Sequence, residues 1–145
     1  WTDATLRPTA RGVKVDVEGQ LVRLPVWSPD SETLAVQVRG ERGGSAIGVI
    51  DLETSRLRLL TELRDEALPY SWSPDGREIA FAARRNGVWN IYAVSLDRRE
   101  RKLTSNESTT RWFRSPAWSP AGHTIAYEAG VPKANVWVSE PRVVE

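Results

Sequence analysis

Short runs of apolar and polar residues, each closed by a turn signal, fill most of the chain. Residues 88–96 (VWNIYAVSL) alternate between apolar and polar positions, as a half-buried strand does. Residues 78–83 (EIAFAA) carry side chains that suit a buried pleated surface. A Pro-Asp-Gly turn at 74–76 precedes this run, and an Asn-Gly turn at 86–87 follows it. Helical periodicity is almost absent, so the pattern predicts an all-β fold.

The tripeptide Trp-Ser-Pro occurs three times in the same setting and sets the period of the chain. Its tryptophans, Trp27, Trp72 and Trp118, lie 45 and 46 residues apart. A near-constant period of this size is typical of repeat architectures. The middle copy predicts four antiparallel strands, which is the content of one β-propeller blade. These strands are predicted at 70–73, 78–83, 88–96 and 101–104.

The other two copies predict blades of the same kind. Residues 14–24 also parallel residues 49–60, so they are predicted to be the third and fourth strands of a preceding blade. The junction from Leu24 to Pro25 is compressed compared with the other two blade junctions. The predicted strands are 26–28, 33–38, 46–52 and 56–61 in the first copy, and 117–119, 124–128, 135–139 and a weak 142–145 in the third. The predicted organisation is a lead-in at 1–12, a half blade at 13–24, and blades at 25–61, 69–104 and 112–145.

About three and a half blades do not make an ordinary closed ring, since closed propellers have about four to eight blades. We therefore expect another segment or another copy of the chain to complete the ring. A two-fold pair that forms a larger ring is one arrangement. A strained four-blade ring is a less favoured alternative. The chain starts at Trp1 and contains no Met, which suggests a processed or excised piece of a longer product.

The repeat resembles the TolB-type propeller repeat, a WD40-like pattern also called PD40. The resemblance rests on residues 69–81 (PYSWSPDGREIAF), on Asn-Ile-Tyr at 90–92 and on Leu-Thr at 103–104. The third copy has Ala121 in place of Asp, and the first has Ser31 in place of Gly. The resemblance implies six to eight blades, often in exported bacterial proteins, and therefore a periplasmic or other extracytoplasmic location; a cytoplasmic location stays open.

The composition narrows the classes of partner. The net charge is +1, so nothing draws the whole chain to nucleic acid or to an anionic membrane. No run approaches the roughly 18 apolar residues of a membrane helix. The basic residues are nearly all Arg, which suits bidentate contacts at partner surfaces, although a GC-rich genome explains the same bias. Single-stranded nucleic acid is a minor alternative, because few Lys accompany the arginines.

The chain offers no constellation for catalysis, and no cofactor or metal site is predicted. Cys is absent and His123 is the only His, which excludes a Cys nucleophile, a Ser-His-Asp triad and a His-rich metal site. We interpret His123 as an exposed turn residue. Asp30, Asp75 and Asp97 each lie at a turn, where Asp bonds its local backbone. The Gly-rich segment 39–45 lies between two strands, so it is a hairpin loop rather than a nucleotide site.

The tryptophans that recur at the repeat period, and Trp89 and Trp137 in third strands, are predicted to be packing residues. Trp112 instead lies in residues 110–114 (TRWFR), which the repeat pattern places between two blades. Two connections of a blade lie on the same face. One is the loop between strands two and three, and the other leads from strand four to the next blade. The positive charge of this face is partly offset by Glu41, Asp65 and Glu66. Its candidate partner-binding residues are Arg39, Arg42, Arg84, Arg85, Arg111, Trp112, Phe113 and Arg114.

Arginine next to exposed aromatic side chains is the composition of interface hot spots. The competing interpretation is that Trp112 and Phe113 pack locally over the blade junction. We expect a non-enzymatic propeller module that binds a protein or peptide through this face. Two alternatives remain: the propeller of a prolyl-oligopeptidase-like serine peptidase whose catalytic domain is not in this chain, and a structural subunit of a larger complex.

Overall fold

Two four-stranded antiparallel sheets and a two-stranded sheet follow one another along the chain in the computed structural model, which describes residues 21–64 and 66–131. In each four-stranded sheet the strands lie in the order of the sequence, as in a propeller blade. Blade 1 contains β1 (Leu21–Trp27), β2 (Thr33–Arg39), β3 (Ser45–Asp51) and β4 (Arg56–Leu59). Blade 2 contains β5 (Glu66–Trp72), β6 (Glu78–Arg85), β7 (Val88–Ser95) and β8 (Glu100–Lys102). The described part of blade 3 contains β9 (Trp112–Trp118) and β10 (Ile125–Gly130).

The Trp-Ser-Pro segments form the turns between the first two strands of each blade. The Ser73 hydroxyl donates a hydrogen bond to Asp75 Oδ1 at 2.6 Å and accepts one from the backbone N–H of Glu78 at 2.9 Å. This hydrogen bond from Ser73 is the main cause that lowers the pKa of Asp75. Ser28 and Asp30 repeat the arrangement in blade 1. The interpretation of these aspartates as turn residues is confirmed.

Each blade's first strand is interrupted by a bulge at or next to its proline. The register shifts between Arg23 and Val26 in β1 and between Pro69 and Ser71 in β5. A corresponding shift in blade 3 lies at Ser115, and both Leu24 and Ser115 have positive φ, at 54° and 51°. A bulge inserts an extra residue into one strand, which breaks the alternation of side chains between the two faces.

The bulges explain why the predicted starts of the first strands were wrong, whereas the difference at β8 lies away from any bulge. Residues 21–24 are the start of β1, not the end of a preceding half blade, so the compressed junction at Leu24 is a bulge within a strand. Residues 112–114 likewise belong to β9 rather than to a connection. Strand β8 covers Glu100–Lys102 and ends before the predicted 101–104 segment does. Residues 13–20 of the predicted half blade and the predicted strands at 135–139 and 142–145 lie outside the described residues.

The main hydrophobic core lies between blades 1 and 2. Phe81 and Tyr92 stack with ring centroids 5.5 Å apart, and Phe81 is fully buried. Trp72 is 7% exposed and packs in the same cluster, which confirms the packing predicted for it. Trp27 at the equivalent position is 60% exposed, so the same prediction is wrong there. The reason is that no described blade lies against that side of β1.

First strands of neighbouring blades contact each other, β5 touching β1 on one side and β9 on the other. They are therefore the inner strands of the blades. Every regular element in the described part of the chain is a strand. No helix long and apolar enough to cross a bilayer was found among these residues.

Candidate partner-binding face

Two kinds of loop meet at one end of the blades, as the alternation of strand directions predicts. A Cβ atom placed on Gly44 of the β2–β3 hairpin would lie 1.8 Å from the carbonyl oxygen of Arg64, which follows β4. In blade 2, a Cβ on Gly87 would lie 3.6 Å from Thr109. We call this end the loop face. It comprises the described residues 40–44, 60–64, 86–87 and 103–111 and the adjoining strand ends.

Two buried asparagines hold the connection between blades 2 and 3. Asn90 Oδ1 accepts hydrogen bonds from the Thr104 hydroxyl at 2.9 Å and from the backbone N–H of Asn106 at 2.8 Å. The amide nitrogen of Asn106 lies 3.0–3.1 Å from the carbonyl oxygens of Trp89, Ser108 and Arg111. Buried amides satisfied in this way fix a backbone conformation. The Asn of the Asn-Ile-Tyr motif and the Thr of Leu-Thr therefore fix the segment that leads to Arg111.

An arginine bridges two tryptophans where this connection enters blade 3. The guanidinium carbon of Arg114 lies 4.8 Å from the ring centroid of Trp89 and 5.5 Å from that of Trp112. Cation–π contacts of this kind hold a guanidinium in place while its edges stay open to hydrogen bonding. Arg111 is exposed beside this arrangement. Arg111 and Arg114 are therefore presented from a fixed position.

Trp112 and Phe113 are half-buried rather than fully displayed. Both pack against a cluster built on Ala82, Trp89 and Ile91 between blades 2 and 3. Trp112 lies opposite Gly130 in the β9–β10 pair, and a Cβ on Gly130 would come within 2.4 Å of its ring. Local packing over the blade junction therefore buries much of the surface of both side chains, as the competing interpretation of the sequence expected.

The remaining arginines of the predicted face differ in what they contact. Arg85 forms a two-pronged ion pair with Glu100, at 2.5 and 2.8 Å, and its guanidinium lies 4.2 Å from the ring centroid of Tyr92. Arg84 is exposed and lies opposite Trp89 across β6 and β7. The structure thus brings Arg84, Arg111, Trp112, Phe113 and Arg114 together around blades 2 and 3, whereas Arg39 and Arg42 lie on blade 1.

We call the surface along which two neighbouring blades pack against each other the seam. Arg39 lines a cavity of about 600 Å³ at the loop-face end of the seam between blades 1 and 2. Arg23 of β1 and Arg64 of the β4–β5 connection line the same cavity. Sequence reasoning missed both. Arg23 was assigned to a preceding blade, because the bulge hid the first half of β1. An alignment of the repeats by strand register would have found it, since Arg23 takes the place of Leu68.

The described residues contain no group of three or more His, Cys, Asp or Glu side chains placed to hold a metal ion. His123 is exposed in the turn between β9 and β10, as predicted. That turn belongs to the opposite end of the blades from the loop face. The loop face carries guanidinium groups and aromatic rings, which are the side chains enriched in interface hot spots.

A family model described as the TolB β-propeller domain matches residues 8–138. The chain belongs to the TolB β-propeller domain family. A Tol-Pal system protein TolB from Thioalkalivibrio sulfidiphilus is 40% identical over 89 residues, which cover 60% of this chain and 20% of that protein. The chain therefore spans about a fifth of the length of that TolB relative.

Two solved structures superpose on this chain. A putative TolB from Agrobacterium tumefaciens superposes with a TM-score of 0.63 at 27% identity, covering 77% of this chain and 47% of that one. A puromycin-hydrolyzing peptidase from Mycobacterium tuberculosis superposes with a TM-score of 0.62 at 21% identity, covering 81% of this chain and 20% of that one. The likeness to the peptidase shows a shared fold. The predicted all-β propeller architecture, as part of a larger propeller, is confirmed.

Proposed function

We propose that this chain is a non-enzymatic part of a propeller that binds a protein or an extended peptide through its loop face. The observation that carries the proposal is the Arg114 guanidinium fixed between Trp89 and Trp112, with exposed Arg111 beside it. Arginine and tryptophan are the side chains most enriched in interface hot spots. Fixing them beforehand lowers the entropy cost of binding.

The relatives support a protein partner outside the cytoplasm. The TolB protein of Thioalkalivibrio sulfidiphilus is named as a component of the Tol-Pal system. By that resemblance we propose a periplasmic or other extracytoplasmic location and a partner within an envelope assembly. Completion of the ring by a further segment or a second copy of the chain belongs to the same proposal, because a repeat edge without a neighbour leaves apolar surface uncovered.

The test begins with affinity capture of a partner from the envelope fraction of the source organism, followed by calorimetry with the purified partner. Arg111→Ala combined with Arg114→Ala should weaken binding at least tenfold, because each charged contact contributes more than 1 kcal/mol. Arg77→Ala combined with Arg99→Ala is the matched control, since both arginines are exposed in turns at the opposite end of blade 2. Equal losses in the two double variants, or none in the first, would remove the loop face from the proposal.

The peptidase alternative rests on less. The likeness to the puromycin-hydrolyzing peptidase lies at 21% identity and concerns the fold alone. The parent reading frame decides this alternative, because a Gly-x-Ser-x-Gly hydrolase domain following Glu145 would place the propeller in a serine peptidase. Native mass measurement tests the third alternative, a structural subunit, through the size of the assembled particle.

A further inference from the structure

At its loop-face end, the seam between blades 1 and 2 differs from the equivalent seam between blades 2 and 3. Neighbouring blades share an apolar seam over most of their length, which in this seam includes Ala35, Ile47 and Trp72. Towards the loop face the apolar side chains stop, and the cavity of about 600 Å³ follows. It lies beside the inner strands β1 and β5.

Cross-strand pairs show which residues open this cavity. Arg23 pairs with Gln37 in blade 1, and the pair at the same place in blade 2 is Leu68 with Ala82. Gln37 and Ala82 each lie ten residues after the tryptophan of their own Trp-Ser-Pro segment. Leu68 and Ala82 belong to the apolar cluster between blades 2 and 3. Two polar residues of blade 1 thus replace a packed apolar pair.

A third replacement enlarges the difference. Arg39 pairs with Ser45 in blade 1, and Arg84 pairs with Trp89 in blade 2. The indole ring of Trp89 fills the second seam, whereas the small Ser45 side chain leaves space in the first. In blade 2 the three equivalent residues pack against the next blade. In blade 1 polar residues stand in their places, and the cavity lies where that packing is absent.

The floor of the cavity is built from buried hydrogen bonds. Gln37 Nε2 donates to the carbonyl oxygen of Ala67 at 2.9 Å, and the backbone N–H of Ala67 donates to the Ser45 hydroxyl at 2.7 Å. Gln37 and Ser45 are 6% and 4% exposed. These bonds tie both side chains to the first strand of the next blade, so the floor is rigid before any ligand arrives.

The walls carry an excess of positive charge. Among the described residues, no carboxylate lies within ion-pair distance of Arg23 or Arg39. Arg64 pairs with Glu62 at 2.5 Å on the exposed surface. Glu66 is the one acidic residue among the described lining residues. The guanidinium groups of Arg23 and Arg39 therefore line the cavity without an ion-pair partner in the described part of the chain.

We infer that this cavity binds the carboxylate of a Glu or Asp side chain in an extended peptide. Guanidinium groups match the planar carboxylate and hold it in pairs of hydrogen bonds. Leu24 adds exposed apolar surface at the rim, which suits a peptide rather than a free inorganic anion. The net charge of +1 gives the chain no general attraction for a polyphosphate strand. The inference rests on the proposed function, for which it names one subsite.

The test follows the Arg Nε–Hε resonances of the full chain by NMR during titration with acetyl-Ala-Leu-Glu-Ala-amide. The same peptide with Gln in place of Glu and inorganic phosphate are the comparison ligands. The variants are Arg23→Leu, which introduces the residue found at this place in blade 2, and the surface substitution Arg39→Gln. Arg77→Gln is the matched control, because Arg77 is exposed in a turn of blade 2 at the end opposite the loop face. The ¹H–¹⁵N spectrum of each variant verifies its fold.

The expected result is saturable binding of the Glu peptide with shifts at Arg23 and Arg39. Either cavity variant should weaken binding about tenfold, since a charged hydrogen bond contributes about 1.5–3 kcal/mol. Arg77→Gln should change the affinity less than about twofold, as a remote surface substitution does. Equal binding of the Gln peptide, equal binding of phosphate, or no shift at these arginines up to about 10 mM peptide would overturn the inference. If the Glu peptide does not bind but the Arg111/Arg114 double variant still loses partner binding, the cavity inference is overturned. The loop-face proposal is then unaffected.

Discussion

Trp72 of blade 2 donates its indole N–H to the backbone carbonyl oxygen of Val26 in blade 1, across a distance of 3.0 Å. The ring itself packs in the hydrophobic cluster between the two blades. One side chain thus provides both apolar contact and a hydrogen bond to the neighbouring blade. This accounts for a tryptophan, rather than another large apolar residue, at this position of the repeat.

Replacing Trp72 by Phe should lower the free energy of unfolding by about 2–4 kcal/mol. The change removes the hydrogen bond from the indole to the carbonyl of Val26 and opens space in the seam. Trp27→Phe is the matched control, because Trp27 has the same place in the repeat and is 60% exposed. Its effect should stay within about 0.5 kcal/mol. Urea unfolding measures both, and equal losses would contradict the asymmetry of the two sites.

Replacing Ser31 by Gly should stabilise the protein by about 0.5–1 kcal/mol. Ser31 has φ at +63°, in the left-handed region, whereas the equivalent residues Gly76 and Gly122 have φ at +70° and +77°. A residue with a Cβ is strained there, and glycine is not. The reverse substitution, Gly76→Ser, should destabilise by a similar amount. Thermal unfolding of the pair checks the prediction, which fails if both changes act in the same direction.

The stability of the blade turns should depend on pH in the acid range. The Ser73 hydroxyl first, and then the backbone N–H of Arg77, hold the pKa of Asp75 below its ordinary value of 3.8. Since the folded pKa lies below the unfolded one, this contribution is present above about pH 4 and is lost as the pH falls through the folded pKa. The urea midpoint should therefore decrease on acidification below pH 4.

Ser73→Ala should raise the pKa of Asp75 towards its ordinary value and reduce this acid dependence. Ser119→Ala is the matched control, because Ala121 stands where the turn has Asp75 in blade 2, while the Ser119 hydroxyl accepts the N–H of Thr124 in the same way. Carboxyl carbon shifts of Asp75 followed over pH give the measurement. An unchanged titration of Asp75 in Ser73→Ala would show that the hydroxyl does not set its pKa.

Replacing Asn106 by Ala should release the connection that presents Arg111. The change removes the amide that bonds to three carbonyl oxygens and leaves buried groups without partners, at a cost of about 2–4 kcal/mol. Backbone amides of residues 105–111 should exchange hydrogen faster. Ser105→Ala, at an exposed neighbouring position, serves as the control. Unchanged exchange in the Asn106 variant would mean that the connection is held by other contacts.

The candidate face could be predicted only in part. Strand alternation was enough to place the β2–β3 hairpin and the β4–β5 connection at one end, as the approach of Gly44 to Arg64 confirms. It was not enough to separate Arg85, which reaches Glu100, from the exposed Arg84. Side chains of opposite charge fifteen residues apart meet only through the register of β6, β7 and β8. Arg23 was missed because the bulge at Leu24 interrupts the alternation on which strand prediction depends.

The sequence by itself determined the repeat, the four-stranded blade and the role of the Trp-Ser-Pro turns. It could do so because these features depend on local chemistry: φ at Ser31 and Gly76, the bond from Ser73 to Asp75, and the alternation of apolar residues. The tertiary structure alone decided which recurring tryptophan is buried and where the seam opens. Burial of Trp72 and exposure of Trp27 depend on the neighbouring blade, and the cavity beside Arg23 depends on two sheets meeting, so neither is a property of one segment.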